Sequence, residues 1–106
     1  MYIVIIVSTS CKKEAERIAQ AVVEHKLAPC ANIIDNCESI FWWRKKIEKT
    51  EETILLLKSK KSNFNNIVRL VKSLHSYEVP EIIALPIVDG NADYLRWIDE
   101  SVRRSH

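Results

Sequence analysis

The order of two hydrophobic periods along the chain restricts its fold more than any other feature. YIVIIV (residues 2–7) is a continuous β-branched run, which is typical of a strand buried on both faces. The next segment changes to a helical period, with apolar side chains at i, i+3, i+4 and i+7 (Ala15, Ile18, Ala19 and Val22). Strand and helix patterns then continue, so the predicted order is β-α-β-β-α-β followed by a terminal helix.

Capping residues and turn formers give the expected helix ends. Ser10 is the candidate N-cap of the first helix, which should end near His25–Lys26. Ser62 is the candidate cap of the second helix. Gly90, the only glycine, precedes the third helix. The apolar residues expected on the second and third helices are Phe64, Ile67, Val68, Val71 and Leu74, and Tyr94, Leu95, Ile98 and Val102.

This order indicates an α+β fold, the ferredoxin-like βαββαβ pattern, over a single domain of residues 1–106. Two right-handed crossovers place both helices on one face of an antiparallel sheet, with the first and third strands central. The fourth strand, within EIIALPIV (81–88), becomes an edge, where Pro86 is tolerated.

A long hairpin forms the other edge. Residues 30–43 read as the second strand, RKKI (44–47) as a turn candidate, and TEETILLLKSK (50–60) as the return strand. The edge strand ends in Phe41, Trp42 and Trp43, and an uncovered apolar edge is an aggregation hazard. Because another copy of the same chain can cover this apolar edge strand, we expect a closed homo-oligomer with these three residues at its interface.

Several classes of function are disfavoured. Sixteen basic and fourteen acidic side chains leave a formal charge of +2, too weak to argue for a nucleic acid or an anionic membrane as partner. The central strands carry one aromatic residue, Tyr2, so the stacking platform of RNA-recognition motifs is missing. No apolar stretch is long enough to span a bilayer. A single glycine excludes a Gly-rich phosphate loop. The sequence contains no recognisable motif for a catalytic nucleophile, so it does not predict an enzyme.

The cysteines and the N-terminus indicate the compartment. MYIVIIV lacks the basic region and the cleavage site of a signal peptide, so we expect a cytoplasmic protein. Cys11, Cys30 and Cys37 are odd in number and form no CxxC pair, which favours free thiols. Cys30 and Cys37 should point to opposite faces of their strand unless a bulge intervenes near Asp35–Asn36. The sequence assigns no role to Cys11 or Cys37.

The segment HSYEVPE (75–81) carries an unusual number of polar side chains for a connector. An imidazole and a carboxylate, His75 and Glu78, are ligand types that suit zinc or copper. The structural alternative for His75 is an imidazole that bonds carbonyl groups at a helix end. A second hypothesis is a cleft for a small anionic or polar ligand at the subunit interface, formed by Lys46, Lys58, Tyr77 and Trp97.

Taken together, five segments resemble the CutA family of divalent-cation tolerance proteins. They are LAPCANII (27–34), SIFWWRKKIE (39–48), ILLLKS (54–59), HSYEVPEIIALPI (75–87) and GNADYLRWI (90–98). The resemblance implies a homotrimer joined by the long hairpins, a trimer similar to PII signalling proteins, a link to copper and heavy-metal tolerance, and no established enzymatic activity. The chain departs from the family pattern at Ser76, where a proline is usual, and at Lys45, where a glycine is usual.

The resemblance also implies metal ligands. Copper has been placed, in part of the family, at the positions of Val7, Leu74 and His75, of which only His75 is a ligand type here. Cys30 matches the family's cysteine, so His75, Cys30 and Glu78 are the candidate metal ligands. We therefore expect a trimer that binds copper or another divalent cation weakly, with no obligatory cofactor. The alternative is a small-ligand sensor or scaffold that uses the cleft between subunits.

Overall fold

The structure is a computed structural model that describes residues 1–102. The observed order of elements confirms the predicted ferredoxin-like pattern. A 3₁₀ turn, Lys61–Asn63, joins β3 to α2. The elements are β1 (Tyr2–Thr9), α1 (Lys12–Glu24), β2 (Cys30–Trp43), β3 (Lys46–Lys60), α2 (Phe64–Leu74), β4 (Ile82–Pro86) and α3 (Ala92–Ser101).

The four strands form one antiparallel sheet in the order β2-β3-β1-β4. The two most apolar strands, β1 and β3, are therefore central, as their sequences predict, and β4 is an edge strand that ends at Pro86. Alternate residues of β1 and β3 point into a core closed by α1 and α2. The main core residues are Ile3, Ile5, Val7, Ala15, Ile18, Val22, Leu55, Leu57, Ile67 and Val71.

The opposite face of the sheet is also apolar but is much less covered. Val4 and Ile6 of β1 are half-buried on this face, and their partners on β4, Leu85 and Ile83, are exposed. The helix α3 packs at one end of this face, where Asp99 accepts a hydrogen bond from Tyr2 and forms an ion pair of 2.8 Å with Lys60. Within residues 1–102, the rest of this face has no covering element.

The hairpin of β2 and β3 extends past the helices, and the longest dimension of the molecule is 44 Å. Trp43 and Lys46 close a two-residue turn, so β3 begins earlier than the sequence suggested. Arg44 and Lys45 have φ of 51° and 67°, the left-handed conformation that a type I′ turn requires. Neither residue is a glycine or an asparagine, so the turn is strained at both positions.

A bulge interrupts β2 near Asp35–Asn36, the place where the sequence allowed for one between Cys30 and Cys37. Ile34 pairs with Ile54 and Cys37 with Glu52, which leaves one extra residue on β2, and Asn36 has φ of 59°. The bulge places Cys30 and Cys37 on the same side of the strand. They lie about six residues apart along the partner strand, or ~20 Å, too far to hold one ion.

Three predicted helix boundaries are wrong. Cys11, not Ser10, holds the N-cap position of α1, and its side chain makes no capping bond. Ser62 lies inside the 3₁₀ turn, so α2 begins at Phe64 instead. The third helix ends at Ser101, which leaves Val102 outside it. In the first two cases the bonds from Ser10 to Glu14 and the tighter 3₁₀ turn moved the boundary by one or two residues.

Candidate functional site

The segment that follows α2 is held in place by the buried ring of His75. Its side chain is 0% exposed, and Nε2 lies 2.7 Å from the carbonyl oxygen of Ser8. Nδ1 accepts a hydrogen bond of 3.0 Å from the backbone N–H of Tyr77. Because a backbone N–H can only donate, these two partners assign a neutral ring with its proton on Nε2. A metal ion on either nitrogen would have to replace one of these bonds.

The carboxylate of Glu14 ties the same segment to the start of α1. It accepts hydrogen bonds from the backbone N–H groups of Ser10 (3.0 Å) and Ser76 (2.9 Å), and Oε1 lies 3.8 Å from His75 Nδ1. Burial alone raises the pKa of Glu14, but the hydrogen bonds from Ser10 and Ser76 outweigh it and hold this pKa below its ordinary value. The Glu14 carboxylate therefore acts as an ionised anchor for the loop.

The hydroxyl of Tyr77 donates a hydrogen bond of 2.7 Å to Glu52 Oε2. Burial and this hydrogen bond both raise the pKa of Tyr77, so the hydroxyl remains a protonated donor at neutral pH. Glu52 is only 8% exposed, yet no basic side chain pairs with it in the part of the chain that the structure describes. A buried carboxylate with one neutral donor and no counter-charge is an unusual and costly arrangement.

Glu52 lies in a groove of about 870 Å³ between the hairpin and the segment after α2. The part of its lining that residues 1–102 supply combines carboxylates and hydroxyls with apolar side chains, and it includes no Lys, Arg or His. Arg44 reaches toward the groove from the hairpin turn, 3.9 Å from Glu78, but both side chains are largely exposed. The lining residues are Ser8, Ser39, Ile40, Phe41, Trp43, Glu48, Thr50, Glu52, Ser76, Tyr77, Glu78, Val79 and Glu81.

The three predicted metal ligands do not meet within one chain. Cys30 lies opposite Lys58 on the sheet, 3.7 Å from Asn32 Oδ1 and close to Tyr94, whose pKa is raised by burial and by this thiol. His75 is buried beside β1, and Glu78 is exposed at the rim of the groove. Residues 1–102 contain no group of three or more His, Cys, Asp or Glu side chains arranged to hold a metal ion.

The four residues predicted to line a ligand cleft are also dispersed. Tyr77 lines the groove, and Lys46 lies opposite Trp43 at the hairpin turn. Lys58 bonds the amide oxygen of Asn32 on another part of the sheet. Trp97 belongs to α3, where its ring packs 5.5 Å from that of Tyr94.

Sequence reasoning missed Glu52, the most buried carboxylate of the groove. The available signal was its position directly before the buried run TILLL (53–57), where a charged residue is out of pattern. The aromatic residues predicted at an interface, in contrast, are well exposed on the single chain. Trp42 is 72% exposed, and Phe41 and Trp43 form part of the wall of the groove.

Comparison with known proteins agrees with this fold. A sequence profile of the CutA1 divalent ion tolerance protein matches residues 3–101. The chain belongs to this family. The rice protein named "Protein CutA 1, chloroplastic" is 40% identical over 103 residues, which cover 97% of this chain but 58% of that protein. The chain also spans only about half of the mouse protein named CutA, at 50% of its length.

Solved structures from the family confirm the ferredoxin-like fold. The divalent cation tolerance protein of Thermus thermophilus superposes with a TM-score of 0.95 at 39% identity, covering 97% of this chain and 100% of that one. The structure of the periplasmic divalent cation tolerance protein CutA from Archaeoglobus fulgidus gives a TM-score of 0.94 at 41% identity with the same coverage. Among the described helices of our chain, none has the length and hydrophobicity needed to cross a bilayer.

Proposed function

We propose that this CutA family protein acts in tolerance of divalent cations and binds such cations weakly in its acidic groove. The observation that carries the proposal is the buried Glu52, which lines the groove and has no basic partner among residues 1–102. The names of its relatives, which refer to divalent-cation tolerance, support the same role. Because those names describe tolerance and not a reaction, we propose a role that is not enzymatic.

Weak binding follows from the arrangement of the donors. Since no three ligating side chains of the described chain converge, a cation would use one or two carboxylates and keep most of its water. Carboxylate, hydroxyl and water oxygens suit Mn²⁺, Mg²⁺ and Ca²⁺ better than they suit copper. Glu52 and Glu81 are the proposed ligands of this site.

A copper site remains a separate proposal. Cys30, His75 and Glu78 lie apart within one chain, so a site that uses them would need ligands from more than one protomer. Copper titration of Cys30→Ser and of the wild type tests this proposal. Identical stoichiometry and affinity in the two proteins would remove Cys30 from it.

We further propose a cytoplasmic homotrimer whose interface includes the exposed apolar side chains of β4 and Trp42 of the hairpin. The exposed apolar side chains of β4 and the exposed Trp42 support this assembly, because solvent-facing groups of this kind mark interaction surfaces. The three free cysteines favour a reducing compartment. Sedimentation velocity should give three chains per particle, and a monomer at micromolar concentration would contradict the assembly.

The groove is tested by Mn²⁺ titration, in which the paramagnetic ion broadens the NMR signals of nearby backbone amides. We expect early broadening at residues 76–81 in the wild type and its loss in Glu52→Gln. Glu16→Gln, a change at an exposed carboxylate on α1, is the matched control and should leave the pattern unchanged. Broadening spread evenly over surface carboxylates, or unaltered in Glu52→Gln, would contradict the proposal.

A further inference from the structure

We infer that the groove also binds a small organic cation, an alkylammonium whose charged head meets Glu52 and whose apolar body lies along the hairpin wall. The inference concerns the same groove as the proposed function, but it does not depend on metal binding. It rests on the volume of the groove, on its apolar wall, and on the one-sided charge of its lining.

The size and the wall of the groove fit an organic molecule better than a bare ion. A volume of about 870 Å³ lies within the range of ~300–1,000 Å³ that is typical of small-molecule sites. Ile40, Phe41, Trp43 and Val79 supply an apolar wall. A hydrated metal ion gains nothing from such a wall, whereas an alkyl chain gains free energy when it leaves water.

The charge at the buried end of the groove selects a cation. Glu52 Oε2 accepts from Tyr77, while the other carboxylate oxygen has no donor within residues 1–102. An ammonium group carries three donors and a full positive charge, so it can bond this second oxygen and supply a counter-charge. Because the raised pKa of Tyr77 keeps its hydroxyl protonated, the phenol itself supplies no negative charge.

The aromatic part of the wall adds a second attraction for a cation. The ring of Trp43 lines the groove, and an indole face attracts an ammonium group placed within about 6 Å of its centre. The guanidinium of Arg44 already lies 5.6 Å from the centre of this ring, on the side of the hairpin turn. A ligand ammonium at this indole would therefore replace Arg44 or lie on the opposite face of the ring.

The protein's own cation at the rim does not satisfy the buried carboxylate. Within residues 1–102, the one carboxylate that pairs with Arg44 is that of Glu78, at 3.9 Å, and the two side chains are 75% and 81% exposed. A pair in that position is screened by water and contributes little. As far as residues 1–102 show, Glu52 therefore has no basic partner, and a cationic ligand would supply one.

In the experiment, three six-carbon probes are titrated into the assembled protein at pH 7, and NMR shifts report their binding. Hexylamine is protonated at this pH, hexanol is its neutral counterpart, and hexanoate is its anionic one. We expect hexylamine to bind about tenfold more tightly than hexanol, a difference of ~1.4 kcal/mol, and hexanoate to show no shift at residues 76–81. Butylamine should bind more weakly than hexylamine, because it buries two fewer methylene groups.

Variants separate this inference from metal binding. Glu52→Gln should weaken hexylamine binding about tenfold and leave hexanol unchanged, whereas Glu16→Gln should alter neither. Equal affinity for hexylamine and hexanol, or no effect of Glu52→Gln on hexylamine, would overturn the inference. Absence of binding to the assembled protein would overturn it too, since a neighbouring protomer would then fill the groove.

The Mn²⁺ titration keeps the two proposals distinguishable. If Mn²⁺ broadens residues 76–81 through Glu52 and hexylamine does not bind, the organic cation is refuted and the metal role stands. If hexylamine binds through Glu52 and Mn²⁺ shows no preference for the groove, the organic cation is supported and the metal role fails. Displacement of Mn²⁺ by hexylamine would support both proposals at one shared site.

Discussion

The hydrogen bond between Tyr77 and Glu52 offers the sharpest test of how the groove is built. Tyr77→Phe removes a single oxygen atom and keeps the ring that packs 4.8 Å from the His75 ring. The change leaves the Glu52 carboxylate 8% exposed and without any hydrogen-bond donor from residues 1–102. The perturbation is therefore electrostatic, with no change in the shape of the core.

The expected loss follows from the burial of the carboxylate. Hydrogen bonds to charged groups contribute about 1.5–3 kcal/mol, and Glu52 is only 8% exposed. We expect Tyr77→Phe to lower the free energy of unfolding by about 2 kcal/mol, which corresponds to a fall in Tm of roughly 10 °C for a domain of this size. In a Glu52→Gln background the same change should cost about 1 kcal/mol, because the amide oxygen is neutral.

The assay is thermal and urea unfolding at pH 7, with all four proteins of the double-mutant cycle at one protein concentration. Tyr94→Phe removes a hydroxyl from a partly exposed ring and is the matched control, with an expected change below about 0.5 kcal/mol. Equal losses for Tyr77→Phe in both backgrounds would show that the Glu52 charge plays no part. No loss at all would refute the buried hydrogen bond.

Three other changes test separate parts of the fold. Lys45→Gly should raise the free energy of unfolding by about 0.5–1 kcal/mol, because glycine adopts a positive φ without strain. Arg44→Lys is the control and should be neutral. An unaltered Tm in Lys45→Gly would contradict the strained turn. The pKa of Glu14 is lower in the folded protein than in the unfolded chain, so its stabilisation is present above the ordinary glutamate pKa of about 4.3 and is lost as the pH falls through the folded pKa. Glu14→Gln should therefore destabilise the protein at pH 7 and flatten the acid side of its stability curve, and a parallel curve would count against the buried network. Trp42→Ala or Trp43→Ala should each cost on the order of 3 kcal/mol and weaken assembly, and a double variant that stays oligomeric at nanomolar concentration would remove the hairpin from the interface.

The fold was predictable because its information is local. The runs IVIIV (3–7) of β1 and ILLL (54–57) of β3 are apolar at every position, which places these strands at the centre of the sheet, and α1 and α2 each carry one apolar stripe. Helix ends were less predictable. Ser10 looks like a cap, but its backbone N–H and hydroxyl both bond the Glu14 side chain, so the helix starts two residues later at Lys12.

The site was not predictable to the same degree, because its contacts join distant parts of the chain. His75 meets a carbonyl 67 residues away, Ser76 meets a carboxylate 62 residues away, and Tyr77 meets Glu52 across 25 residues. No local pattern specifies such partners. The sequence could show that the segment is polar, but it could not show that the imidazole faces inward.

These long-range bonds explain why the segment 75–81 contains side chains that a simple connector does not need. Few backbone groups of this segment pair with a neighbouring strand, so buried side chains form the hydrogen bonds instead. His75 bonds the carbonyl of Ser8 and the N–H of Tyr77, and Glu14 accepts from the N–H of Ser76. The same bonds fix the hydroxyl of Tyr77 against Glu52. A ligand that neutralises Glu52 should therefore raise Tm in the wild type and in Glu14→Gln, by mass action on the folded state, and should lose this effect in Glu52→Gln. If Glu14→Gln also abolished the ligand-induced rise in Tm, the anchoring network would be part of the binding site and not only its support.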